Sequence, residues 1–296
     1  MFSDTHFHFK MMTDERGING VEVLSQMAKN NCFFGLDIGT GPSDLEERQL
    51  AVEKCIAGIN DVNLADKARS FMYFSAGIWP GIESIKDREN QVKLLKESII
   101  KAQNETDQDT LHRKIIAIGE AGLDHHWNPS GADGRREEDF DEQIYRGEKE
   151  LFMMQLELSK EMNLPMIVHS RDAFSDTLDC IKNVGWNRGI IHCYSYGIEE
   201  ARAFLDLGWY IAFGGGTTYT KKSKMEQMFE LLKFVPKERL LCETDAPYLA
   251  PVPHRGESNT PVYIEHVYDF ISQARGVSKE ELSATVDENI KKLFRL

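Results

Sequence analysis

The chain is predicted to be an α/β protein folded as a TIM-type (β/α)8 barrel, with residues 1–296 forming one domain that ends in helices. Three observations lead there. Eight short apolar runs alternate with longer helix-period stretches along the whole chain, the rhythm of βαβ units and parallel strands. Side chains of metal-ligand type fall where those runs end, and a parallel barrel assembles its chemistry from the C-terminal ends of its strands. No GxGxxG follows the first strand, so the competing open Rossmann-type sheet lacks its signature.

The predicted strands cover residues 1–8, 32–39, 71–78, 114–120, 166–169, 189–193, 209–213 and 239–243. Between them lie amphipathic segments. Leu45, Val52, Ile56 and Ile59 share one helical face, as do Val92, Leu95 and Ile99. Over residues 140–162, Phe140, Ile144, Leu151, Gln155, Leu158 and Met162 recur at helical intervals, keeping one stripe toward the sheet. Near the C-terminus, Ser278 and Glu281 have capping-box spacing, and Ile290, Leu293 and Phe294 supply an apolar face. The connection over 121–139 has no helix period. A loop of that length at a barrel mouth is expected to contact substrate.

Composition excludes several classes. A net charge of −13 argues against an extended duplex-binding surface, which gains affinity by neutralising many phosphates. It does not exclude an enzyme that grips one or two phosphates. The five cysteines form no CxxC pair and read as free thiols of a reducing, cytoplasmic compartment. The N-terminus lacks the pattern of a secretory signal, and no apolar run is long enough to span a membrane. Cys193, directly after His192, points to the other side of its strand and is a poor ligand.

His6 and His8 lie two apart on the first strand, so both imidazoles leave the same face of the pleat. That pair alone also fits structural histidines. Glu120, His169, His192 and Asp245 obey the same rule, each closing an apolar run before a polar turn. Four neutral imidazoles and two carboxylates balance about half the charge of two divalent cations, leaving room for an anionic ester and a hydroxide. Glu120 is placed to bridge the pair. Asp245 is placed to orient a water and take its proton, with Glu243 supporting from behind. Mixed imidazole and carboxylate donors suit Mg2+, Mn2+ or Zn2+.

At these residues the chain closely resembles the TatD family of metal-dependent deoxyribonucleases, within the amidohydrolase-type barrel superfamily. The resemblance runs nearly end to end through DTHFH, IGEAGLD, MIVHSRDA, IIHCYS and LLCETDAPYLAPVPHRGESNTP, closing on Thr285, Asn289, Leu293 and Phe294. It implies a TIM-type barrel with His6, His8, Glu120, His169, His192 and Asp245 as metal ligands. It also implies cleavage of DNA phosphodiester bonds, often as a 3′-to-5′ exonuclease on single strands, with Mg2+ or another divalent ion. Three departures put substrate preference in play. Lys10 stands where the family usually has an acid, Tyr196 where glycine is common, and His125 and His126 where aromatic residues often follow GLD.

Arg171 follows His169 by two and is expected to face the same way, toward a phosphate oxygen. His254 and Arg255, in the loop after the last strand, suit an anionic group, and Tyr248 suits a base. Trp127, Tyr194, Tyr196 and Tyr219 also lie in predicted mouth loops, where some could stack on bases and ordinary loop packing is the alternative for each. The run GGGTTYTKKSK after strand seven combines bare amides, hydroxyls and lysines where barrel enzymes often hold phosphate. The acidic run over 136–142 reads as a solvated helix start. The expected substrate is single-stranded DNA or DNA ends, with no obligate protein partner. The alternative, motivated by the acidic surface, is hydrolysis of a small-molecule ester, amide or lactone, or of aminoacyl-tRNA.

Overall fold

In the computed structural model, which describes residues 2–104, 114–126 and 135–296, all eight predicted strands form. They pair in parallel and in sequence order into a nearly closed barrel. The first half runs β1 (Asp4–Phe7), α1 (Gly20–Lys29), β2 (Gly35–Asp37), α2 (Leu45–Ala57), α3 (Val62–Phe71), β3 (Met72–Ala76), α4 (Ile82–Lys86), α5 (Arg88–Asn104) and β4 (Ile115–Asp124). The second half runs α6 (Glu142–Met162), β5 (Met166–Arg171), α7 (Phe174–Val184), β6 (Gly189–Ile191), α8 (Ile198–Asp206), β7 (Tyr210–Phe213), α9 (Met225–Phe234) and β8 (Leu240–Cys242). Helices α10 (Ile264–Arg275) and α11 (Lys279–Phe294) end the chain.

Local sequence explains the boundaries. Side chains of Asn19, Asp61, Asp141 and Ser278 accept hydrogen bonds from the first free amides of α1, α3, α6 and α11, donors that would otherwise have no partner. Helix-covered strands are buried on both faces. Accordingly Leu36, Phe74, Ile118, Val168, Ile191, Ile211 and Leu241 are all inaccessible. The predicted stripes of α2 and α5 face this core at Leu45, Val52, Ile56, Leu95 and Ile99. Gln155, the polar member of the α6 stripe, is buried and pairs with both backbone groups of Ile78.

Among the described residues, no β1–β8 ladder closes the ring; side chains, backbone hydrogen bonds and the Phe7–Ala246 bridge do so instead. Asp4 accepts from the Thr244 amide and hydroxyl at 3.0 and 2.6 Å, and Phe7 bridges Ala246. The Asp245 amide donates to the His6 carbonyl at 2.9 Å. The residues around His6 and Asp245 are thus tied at the seam itself.

One strand departs from its predicted extent. β4 does not stop at Glu120 but continues to Asp124, with Ala121–Asp124 paired to Val168–Arg171 of β5. Glu120 therefore lies inside the strand, at a register irregularity between Ile118 and Ala121. Glycines permit this course. Gly122 has φ +156° and a β-carbon there would stand 1.8 Å from the His169 carbonyl oxygen. Gly119, at φ +128°, would meet the Ile167 carbonyl at 2.6 Å. Only glycine lets β4 approach β5 this closely.

Of the long connection predicted over 121–139, the first four residues are strand, and 127–134, including Trp127, lie outside the described residues. The acidic run is a solvated helix start as expected: residues 136–139 are exposed and Asp141 caps α6. All five cysteines are free. Among the described residues, no helix is long and apolar enough to cross a membrane.

Candidate metal centre

The six predicted ligand side chains converge at the mouth of the barrel. His6 and His8, on and just after β1, send both Nε2 atoms inward, 3.3 Å apart. Glu120 Oε2 lies 3.5 and 3.6 Å from these two nitrogens, and Asp245 Oδ1 lies 3.6 and 3.7 Å from them. The other Glu120 oxygen, Oε1, lies 2.9 Å from His169 Nδ1 and 3.1 Å from His192 Nε2. Those two nitrogens are 3.3 Å apart. One carboxylate therefore divides its oxygens between two groups of donors.

The donor set fits a metal. Bonds of about 2.0–2.2 Å in a tetrahedral site place neighbouring ligand atoms roughly 3.3–3.6 Å apart, close to the spacing of the first group. Two imidazole nitrogens aimed at each other and at carboxylates need positive charge between them. His8 is set up to coordinate, since its Nδ1 faces the Ile38 carbonyl at 3.3 Å; that places the hydrogen on Nδ1 and leaves Nε2 a lone pair. The His6 and His192 rings stack at 3.9 Å, which fixes both planes.

The electrostatics show the same demand for positive charge. Burial alone would push His8, His169 and His192 down, but neighbouring carboxylates outweigh it and raise all three, His169 to about 9. Burial likewise pushes Glu120 and Asp245 up, yet the surrounding histidines hold both below their ordinary range. His6 moves the other way, lowered by burial and by His192. Without a cation, the raised His8, His169 and His192 favour their protonated forms. Cation uptake near neutral pH should therefore release protons, and apparent affinity should climb as pH rises toward the His169 value. A pH-indicator dye during Zn2+ titration checks this, and an affinity flat across the neutral range would contradict it.

Glu243 lies beneath the centre, wholly buried. Its Oε1 accepts from the Cys193 amide at 2.5 Å and stands 3.5 Å from His192 Nδ1. It thus stands behind His192, within ion-pair range of its Nδ1 but with no hydrogen bond between them. The Cys193 thiol is pushed well above its ordinary value by burial and by the charges of Asp245 and Glu243, so it stays protonated and makes a poor ligand.

The substrate-side residues divide. Arg171 ends β5, exposed, with no ion-pair partner among the described residues. Tyr248 is 41% exposed and its ring meets that of His8 edge-on at 6.2 Å. Arg255 is exposed, its guanidinium lying 4.6 Å over the Tyr219 ring. His254 stacks on Tyr263 at 3.8 Å and its Nδ1 engages Glu257 at 3.0 Å. Two predicted stacking rings pack inside the protein: Tyr194 is buried against Tyr196 and Phe213, and Tyr196 also meets Phe174, its hydroxyl bonded to Ser170 Oγ and the Ala173 amide. In the run after β7, Thr217, Thr218 and Thr220 donate to carbonyls three residues back. These hydroxyls are spent on their own turn, leaving the exposed lysines 221, 222 and 224.

Lys10, at the position where the family usually has an acid, pairs with Glu47 at 3.0 Å and Asp14 at 3.4 Å. His126 pairs with Asp172 at 2.8 Å.

Sequence reasoning missed Asp124, whose Oδ2 lies 3.0 Å from His169 Nε2. Burial pushes this carboxyl up, but the hydrogen bond and charge of His169, the His126 amide and Arg135 together outweigh that and hold it low. A signal existed. Asp124 follows Glu120 by four in EAGLD, the spacing that repeats one face of a strand, and it was lost by ending the strand at Glu120.

The family described as "TatD related DNase" matches residues 3–295. An uncharacterized metal-dependent hydrolase of Bacillus subtilis, YabD, is 35% identical over 228 residues, 76% of this chain and 78% of that protein. One from Buchnera aphidicola subsp. Baizongia pistaciae is 30% identical over 296 residues, 99% of this chain and 96% of that one. Among solved structures, YjjV, a TatD homologue from Escherichia coli K12, superposes with a TM-score of 0.75 at 24% identity, covering 100% of this chain and 98% of that one.

Proposed function

Because the chain belongs to the TatD family of metal-dependent hydrolases, we propose that it cleaves phosphodiester bonds of DNA as a 3′-to-5′ exonuclease preferring single strands. It would use two divalent ions, Mg2+, Mn2+ or Zn2+, held by His6, His8, Glu120, His169, His192 and Asp245. The observation that carries this reading is the division of Glu120, with Oε2 toward His6, His8 and Asp245 and Oε1 toward His169 and His192. A carboxylate so divided suits two ions better than one.

Cations bound there would lower the pKa of a water toward about 7 and polarise a phosphoryl oxygen. The protein's own groups supply the rest. Asp245 keeps 14% of its side chain accessible, enough for its free oxygen to meet that water, orient it and accept its proton. His6, His8, His169 and His192 stay in place because stacking and hydrogen bonds fix their rings. Arg171 and Arg255 offer donors to phosphate oxygens at the rim, and Tyr248 offers a ring face on which any base can stack. The overall charge of −13 disfavours a long duplex track, which supports action at ends and on single strands.

The test is to incubate chelator-stripped, Mg2+- or Mn2+-supplemented protein with 3′-labelled and 5′-labelled single strands. Stepwise release of mononucleotides from the 3′ end is expected. No release under any of these metals, with strong turnover of a lactone, amide or aminoacyl ester instead, would overturn the nuclease reading.

A further inference from the structure

We infer that Asp124 is a positioning residue that fixes the ring of His169 with its Nδ1 lone pair toward Glu120 and His192, and that a buried Arg135–Glu148 pair fixes Asp124 in turn. This rests on the reading above that Glu120, His169 and His192 share a cation.

A carboxylate only accepts. With Asp124 Oδ2 at 3.0 Å from His169 Nε2, the hydrogen of the neutral imidazole belongs on Nε2. The lone pair then falls on Nδ1, the nitrogen 2.9 Å from Glu120 Oε1 and 3.3 Å from His192 Nε2. A carboxylate in this relation both orients an imidazole and raises its basicity toward a metal.

Asp124 cannot turn away, because both of its oxygens are used: Oδ1 accepts the His126 amide at 2.9 Å. Its backbone is held at two points. The Asp124 amide donates to Glu148 Oε1 at 3.1 Å, and the Asp124 carbonyl accepts from Arg135 Nη2. Arg135 and Glu148 are themselves paired at 2.8 Å with both side chains fully buried. Arg135 also donates to the Pro80 carbonyl and lies 4.3 Å over the Phe140 ring. Glu148 takes a further hydrogen bond from His125 at 3.1 Å. Helix α6 and the residues just before it are thereby coupled to one metal ligand. Among the described residues, no carboxylate hydrogen-bonds the outer nitrogen of His6 or His8 in this way; His8 Nδ1 faces the neutral Ile38 carbonyl and His6 Nδ1 has no hydrogen-bond partner.

The two groups of donors should therefore respond differently to Asp124→Asn. An asparagine offers one acceptor where two donors arrive, so either the His126 amide or His169 Nε2 loses its partner. Stripped full-length protein titrated with Mn2+ and with Zn2+ is expected to show two binding steps. In Asp124→Asn one step should weaken ten- to hundredfold, with the other unchanged and the thermal midpoint retained. His8→Gln should weaken the opposite step. Both steps native-like in Asp124→Asn, or both weakened alike, would overturn the inference. If the native protein shows a single step, the two-ion reading fails. Asp124 is then judged by whether Asp124→Asn weakens that one step. A second measurement needs no variant: 15N spectra of the Zn2+-loaded native protein should place the hydrogen of His169 on Nε2. A hydrogen on Nδ1 overturns the inference.

Discussion

Replacing Glu120 by glutamine is expected to reduce the bound metal from two ions to one and to slow DNA cleavage on the order of 10³-fold, about 4 kcal/mol of barrier. The carboxylate faces His6 and His8 with one oxygen and His169 and His192 with the other. An amide of the same shape has one oxygen to give, and its NH2 would meet the second group of donors with hydrogens. Shape, burial and backbone are preserved, so the loss isolates the second acceptor. Metal content after dialysis and single-turnover rates on a labelled strand are the measurements. Retention of two ions with near-native turnover would show that the division of Glu120 carries no chemistry.

Asp245→Asn should act differently. Its Oδ1 faces His6 and His8, and an asparagine oxygen can still occupy that position, so the His169–His192 group should keep its ion. What disappears is the ability to take a proton. Removing a general base costs about 10² to 10⁴ in rate, and the loss is expected in kcat rather than KM. Metal occupancy measured on the same sample separates the two roles. Full metal content with native kcat would remove Asp245 from the chemistry.

The barrel and the six converging side chains were legible in the amino-acid order because both depend on short periods. Pleat alternation places His6 beside His8, and helix-period stripes between apolar runs imply parallel strands. Strand-end placement then brings Glu120, His169, His192 and Asp245 to one mouth. Where β4 ends was not legible because Gly122 looks like a turn, whereas in the fold it lets β4 pair closely with β5 at His169, a contact with a distant backbone. Missing that end hid Asp124. The neighbours of His254 were equally hidden: its stack on Tyr263 and the contact of its Nδ1 with Glu257 are set by the fold of the loop rather than by spacing.

Residue order alone specified which chemical groups gather and at which end of the barrel, because local periodicity and strand polarity act over a few residues at a time. The orientation of each group came from contacts between distant segments. Glu120 splits its oxygens, His169 is turned by Asp124, and the Arg135–Glu148 pair sits beneath them because packing sets angles that no spacing along the chain encodes.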